Sequence, residues 1–71
     1  MTFSEIFHQR FCEVFEESGM TIDEFVEKTN IPYRKMKRYF NEKTPGARDL
    51  IQLARVLSVR VDYLLGLSNE K

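Results

Sequence analysis

Apolar residues recur three and four positions apart along almost the whole of this 71-residue chain, a spacing that selects helices. Phe3, Ile6, Phe7, Phe11, Val14 and Phe15 mark an amphipathic helix that Ser18-Gly19 stops. Thr21-Ile22-Asp23-Glu24 reads as a capping box, in which the Glu24 amide donates to the Thr21 hydroxyl and the Thr21 amide donates to the Glu24 carboxylate. Met20 and Phe25 flank that box as a hydrophobic staple. The second helix should end near Lys28-Thr29, with Asn30 as the left-handed residue of the following turn. Pro32 suits the first position of a third helix running through about Asn41, because its missing N–H costs nothing there. Glu42 to Gly46, with Pro45, reads as a loop. A fourth helix is expected to bury Leu50, Ile51, Leu53, Ala54 and Leu57. Ser58-Val59 then turns the chain into a brief fifth helix, Val61 to Leu65, ended by Gly66. No segment alternates as a strand would. The expected fold is all-α, a compact five-helix bundle forming one domain over 1–71, with a core over about 3–67.

A chain of this length has room for one core and no second. With 42% hydrophobic and 13% aromatic residues that core can be built, and wholesale disorder is excluded. Cys12 is the only cysteine, so no internal disulfide staples the domain. No apolar run approaches the length of a membrane span, and the first basic residue is Arg10, unlike a secretory signal. The expected setting is cytoplasmic, with no membrane partner.

Eleven Lys and Arg balance eleven Asp and Glu, but the neutrality is a cancellation. Residues 1–30 carry Arg10 and Lys28 against seven acids, a net −5. Residues 31–71 carry nine bases against Glu42, Asp49, Asp62 and Glu70, a net +5. Arg34, Lys35, Lys37 and Arg38 crowd into five positions with Tyr33 and Tyr39 beside them. Such a cluster is either a solvated helix face or a surface for phosphates.

Two short helices joined by a tight turn, the second carrying clustered bases, make a helix-turn-helix over about 21–41. In that arrangement the first helix braces against phosphate and the second lies in the major groove. The chain resembles the Cro/phage-repressor-type (XRE-like) helix-turn-helix regulators from about Phe7 to Gly66. The resemblance is carried by Gly19-Met20-Thr21, Glu24-Phe25-Val26 and Ile31, and by Tyr39, Asn41, Lys43 and Pro45. Leu50-Ile51, Leu53-Ala54 and Leu57 follow, and Val61-Asp62-Tyr63-Leu64-Leu65-Gly66 matches the family's usual ending. It implies a lambda-repressor-like fold in a bacterial or phage-encoded protein. The sequence departs from the family pattern at Ile22, where Gln is frequent, at Asn30 for Gly, and at Pro32 for a capping Ser or Thr. Phe15 stands where a base is common and Phe40 where an acid is.

Helical spacing alone puts Ile31, Met36, Tyr39 and Phe40 on the inward stripe of the third helix and Tyr33, Arg34, Lys37 and Arg38 on the other face. The resemblance implies base reading by Tyr33, Arg34 and Arg38. An Arg fork can pair with guanine O6 and N7, so guanine-containing half-sites are expected. Thr21, Lys35, Lys37 and Lys43 are the phosphate candidates, adding affinity without sequence information.

His8 and Cys12 are four apart on one helix, but two ligands do not complete a tetrahedral metal site. Glu16-Glu17 and Asp23-Glu24 are adjacent acids, which diverge around a helix rather than converge for general acid–base work. No nucleophile–base set or Gly-rich phosphate loop is present, so neither enzyme activity nor a cofactor or metal is expected. The series Phe3, Phe7, Phe11, Phe15 is expected to pack mainly inward; Phe15, Val61, Tyr63 and Leu67 are the candidate dimer contacts. The expected function is a sequence-specific DNA-binding regulator, a repressor that binds a palindromic operator in double-stranded DNA as a homodimer. The alternative is a protein-interaction module, an antitoxin or anti-repressor with a regulatory protein partner.

Overall fold

The structure, a computed structural model, describes residues 2–41 and 43–71. Glu42, the first residue of the expected third loop, lies outside them. Among the described residues the chain forms five helices and no strand: α1 (Phe3–Ser18), α2 (Ile22–Thr29), α3 (Tyr33–Asn41), α4 (Ala47–Leu57) and α5 (Val61–Leu64).

The helix ends follow local chemistry. Thr21 and Glu24 form the expected capping box, with Thr21 N–H donating to Glu24 Oε1 at 2.9 Å and Glu24 N–H to Thr21 Oγ1 at 3.2 Å. These bonds to the ionised form hold the Glu24 carboxyl below its usual range. Thr2 and Glu5 repeat the same box at the start of α1, where the same Thr-x-x-Glu spacing stands in the sequence. Asn30 is left-handed, with φ 59°, and its amide closes α2 on the Val26 carbonyl. Pro32 differs from expectation by one position. It stands just before α3, its carbonyl accepting from the Met36 amide at 3.0 Å.

The core joins all five helices through Phe7, Phe11, Val14, Phe25, Ile31, Met36, Tyr39, Leu50, Leu53, Ala54, Leu57, Tyr63 and Leu64. Ile51 is a correction: it is 49% exposed rather than buried. Leu50, Leu53, Ala54 and Leu57 share one stripe, and Ile51 stands about 100° round the helix from Leu50. Phe3 is also a correction, 50% exposed at the outer end of its stripe, while Leu65 falls just beyond α5. At its apolar centre Phe11 stacks on Phe7 and Phe40, with centroids 5.3 and 4.5 Å away, and leans on Phe25 at 6.0 Å. Such offset rings gain beyond their buried area.

One side chain locks the end of the chain onto α1. Arg10 Nη1 donates to the carbonyls of Tyr63 at 2.7 Å and Ser68 at 2.6 Å, and Nη2 donates to Asn69 Oδ1 at 2.8 Å. Its guanidinium also covers the Tyr63 ring, 4.4 Å from the centroid. Gly66 belongs to the same junction, with φ 79° and a backbone so close to α1 that a Cβ would sit 2.7 Å from Ile6 Cγ2. Both the conformation and the approach require glycine.

Candidate nucleic-acid interface

Helix α3 inherits its division of faces from the 3.6-residue period. Met36 and Tyr39 are buried and Phe40 half-buried, whereas Tyr33, Arg34, Lys35, Lys37 and Arg38 are all exposed. At about 100° per residue, Arg34 takes the middle of the outer face, with Arg38 and then Lys35 on one side and Lys37 and then Tyr33 on the other. No acid lies on α3 to neutralise them.

The Lys35 side of this face opens into a cleft of about 410 Å³ between α3 and the start of α4. Lys35, Arg38, Lys43 and Arg48 line it together with Tyr39 and the first turn of α4. A second cleft of about 250 Å³, reaching to Asn30 and Gln52, shares Lys35, Arg48 and Asp49 with the first. No side chain caps α4 at Gly46, so its first-turn amides add positive potential beside those four cations, and Asp49, the one acid among the described residues lining the cleft, is engaged by the Tyr39 hydroxyl. The arrangement suits one or two phosphate groups.

The structure thus brings Lys35, Arg38 and Lys43 together, and adds Arg48, which the sequence reading did not single out. Arg48 is seven positions beyond the end of α3, across the intervening loop, and no local pattern ties it there, although its place in the first turn of a helix was a usable signal. Arg38, expected to read bases, stands with the phosphate candidates. Lys37 and Arg34 lie outside both clefts. Thr21 is exposed at the start of α2; its oxygen is occupied by the Glu24 amide, which leaves its O–H to donate outward.

The loop bearing Lys43 is held from two directions. The Lys43 amide donates to the Arg38 carbonyl at 2.9 Å, and the Lys43 carbonyl lies 3.3 Å from His8 Nε2, the geometry of an imidazole N–H donor. His8 therefore serves as an anchor. Among the described residues no group of three or more His, Cys, Asp or Glu is placed to hold a metal ion. Nor is any helix there long and apolar enough to cross a membrane.

Tyr39 fastens the cleft from below. The ring of Tyr39 is buried and its part-buried hydroxyl donates to Asp49 Oδ2, joining α3 to the first turn of α4. Burial, reinforced by the bond to Asp49 and by its charge, pushes the Tyr39 phenol up to about 12. A phenol whose pKa is higher folded than unfolded stabilises the protein fully below about pH 10, and loses that contribution as pH rises through about 12. Tyr39→Phe is expected to cost about 1.5 kcal/mol at neutral pH, as a hydrogen bond to a charged acceptor is lost. The gap between the two proteins in urea midpoint should narrow from pH 10 to 12; a constant gap would mean that the bond is not what separates them.

Phe15 and Phe40 pack edge to face, with centroids 4.9 Å apart. Of the four candidate dimer contacts, Leu67 is 75% exposed, Phe15 and Val61 are half-buried, and Tyr63 is buried beneath Arg10. No family model, curated protein or solved structure matches this chain.

Proposed function

We propose that this chain is a sequence-specific DNA-binding regulator in which α2, the Asn30-Ile31-Pro32 turn and α3 act as a helix-turn-helix. The reading rests on one observation above all: an exposed, acid-free face of α3 whose cations run on into a cleft with Lys43, Arg48 and the uncapped start of α4. A groove-reading helix needs that continuity, because phosphate contacts set its register before base edges can be read. Arg34 and Arg38, with Tyr33, are the base-reading set; Lys35, Lys37, Lys43, Arg48 and Thr21 face phosphates. Arg38 serves both groups.

A domain of this size presents one short recognition helix, so tight binding calls for a two-fold dimer with helices about 34 Å apart on a palindromic operator. Repression follows as the simplest action, since occupying DNA needs no further activity. The role is binding, without catalysis or cofactor.

Selection of bound sequences from a random duplex pool tests the reading directly and should return a palindrome with guanine in each half. Four phosphate-facing cations per protomer give a log–log salt slope of about −7 for the dimer on a selected duplex. A flat salt profile, or a pool that does not converge, would overturn the proposal.

A further inference from the structure

The basic clefts carry a carboxylate of their own. Asp49, in the first turn of α4, lines both of them together with Lys35 and Arg48, and it is half-buried where those two cations are exposed. A carboxylate so placed is an internal rival of phosphate, because it can neutralise the cations that a phosphate would meet. Yet among the described residues Asp49 forms no ion pair; the pairs there are Arg60 with Glu70 and Lys71 with Glu17. The side-chain hydrogen bond it does form is the one its Oδ2 accepts from the Tyr39 hydroxyl.

The phenol suits this task because it engages a carboxylate without supplying a charge. Its pKa is pushed up to about 12 by burial and by the bond to Asp49, so it stays a neutral donor across the physiological range. Packing alone does not call for the hydroxyl, since a Phe ring would fill the same buried position on α3.

We propose that Tyr39 is a positioning residue for phosphate binding: its hydroxyl holds the Asp49 carboxylate away from Lys35 and Arg48 and so keeps those cations free. The consequence for DNA rests on the function proposed above; the withholding of Asp49 does not. Without the hydroxyl, Asp49 turns to Lys35 across the cleft or to Arg48, and a phosphate must displace it before it binds. The bond then governs affinity beyond what it adds to stability.

Tyr39→Phe, Asp49→Asn and the double variant separate this role from a structural one. Asn still accepts the phenol's hydrogen bond but neutralises no cation. Tyr39→Phe should bind selected and random duplexes about twofold to fivefold more weakly per protomer, the range of an exposed ion pair. Asp49→Asn should bind at least as tightly as the unaltered protein. The double variant should recover that affinity although its urea midpoint stays as low as that of Tyr39→Phe. Side-chain NMR reads the same exchange without DNA: the Lys35 Nζ and Arg48 Nε signals should shift in Tyr39→Phe, and in the double variant should match those of Asp49→Asn. Affinity that follows the urea midpoint in all three variants, with no recovery in the double one, would make the bond purely structural and overturn the proposal. So would Lys35 and Arg48 signals indifferent to Tyr39→Phe. If no duplex binds the unaltered protein, the DNA reading fails by itself, and those signals alone decide whether Tyr39 withholds Asp49.

Discussion

Phe11→Ala is expected to remove about 3–5 kcal/mol of folding stability, a large share of what a domain this small holds. A domain of 71 residues holds about 4–11 kcal/mol in total. With its single cysteine unpaired, no internal cross-link supports the fold when packing is lost. Phe11 is fully buried and touches rings from three helices: Phe7 on α1, Phe25 on α2 and Phe40 on α3. Truncation therefore leaves a cavity where α1 meets the two helices that carry the candidate interface, and a stack of aromatic faces cannot collapse easily to fill it. Urea unfolding followed by circular dichroism reads the effect. Phe3→Ala is the matched control, the same chemistry at a site 50% exposed, and should change stability by less than about 0.5 kcal/mol. If the two substitutions cost the same, the ring cluster is not the centre of the core.

That contrast marks what the sequence discloses. The capping box at Thr21, the left-handed Asn30 and the outward face of α3 were legible because each depends on residues within one or two helical turns. Ile51 was misplaced for a related reason: adjacent apolar residues give a helix two possible stripes, and only packing against the other helices chooses Leu50 over Ile51. Arg10 was invisible because its three acceptors lie more than fifty positions away, at Tyr63, Ser68 and Asn69. The same holds for Asp49 beneath Tyr39 and for Arg48 in the cleft, where the fold, rather than any local pattern, sets the neighbours. Phe15, Ile22 and Phe40 were noticed singly as departures from a resembling family. That they line one groove with Cys12 is a fact of tertiary structure alone.

The largest effect expected on binding is at Arg34. It takes the middle of the α3 face, flanked by Lys37 and Arg38 and outside the clefts that gather Lys35, Lys43 and Arg48. A side chain so placed meets base edges when the helix lies in the major groove, while its neighbours straddle the groove walls. Arg34→Ala should remove about 1–3 kcal/mol of discrimination per half-site, hence about 2–6 kcal/mol over a dimer, and relax the preference at one base position. Lys35→Ala should instead weaken selected and random duplexes alike and flatten the salt slope by about one for each phosphate contact removed. Arg38 stands in the cleft and beside Arg34, so Arg38→Ala should show both signatures at once. Binding isotherms on selected and random duplexes at several salt concentrations separate the three patterns. Were Arg34→Ala to lower both affinities equally while Lys35→Ala altered base preference, α3 would lie in its groove rotated by about 100° from the orientation proposed, with the cleft wall rather than the helix crest facing the bases.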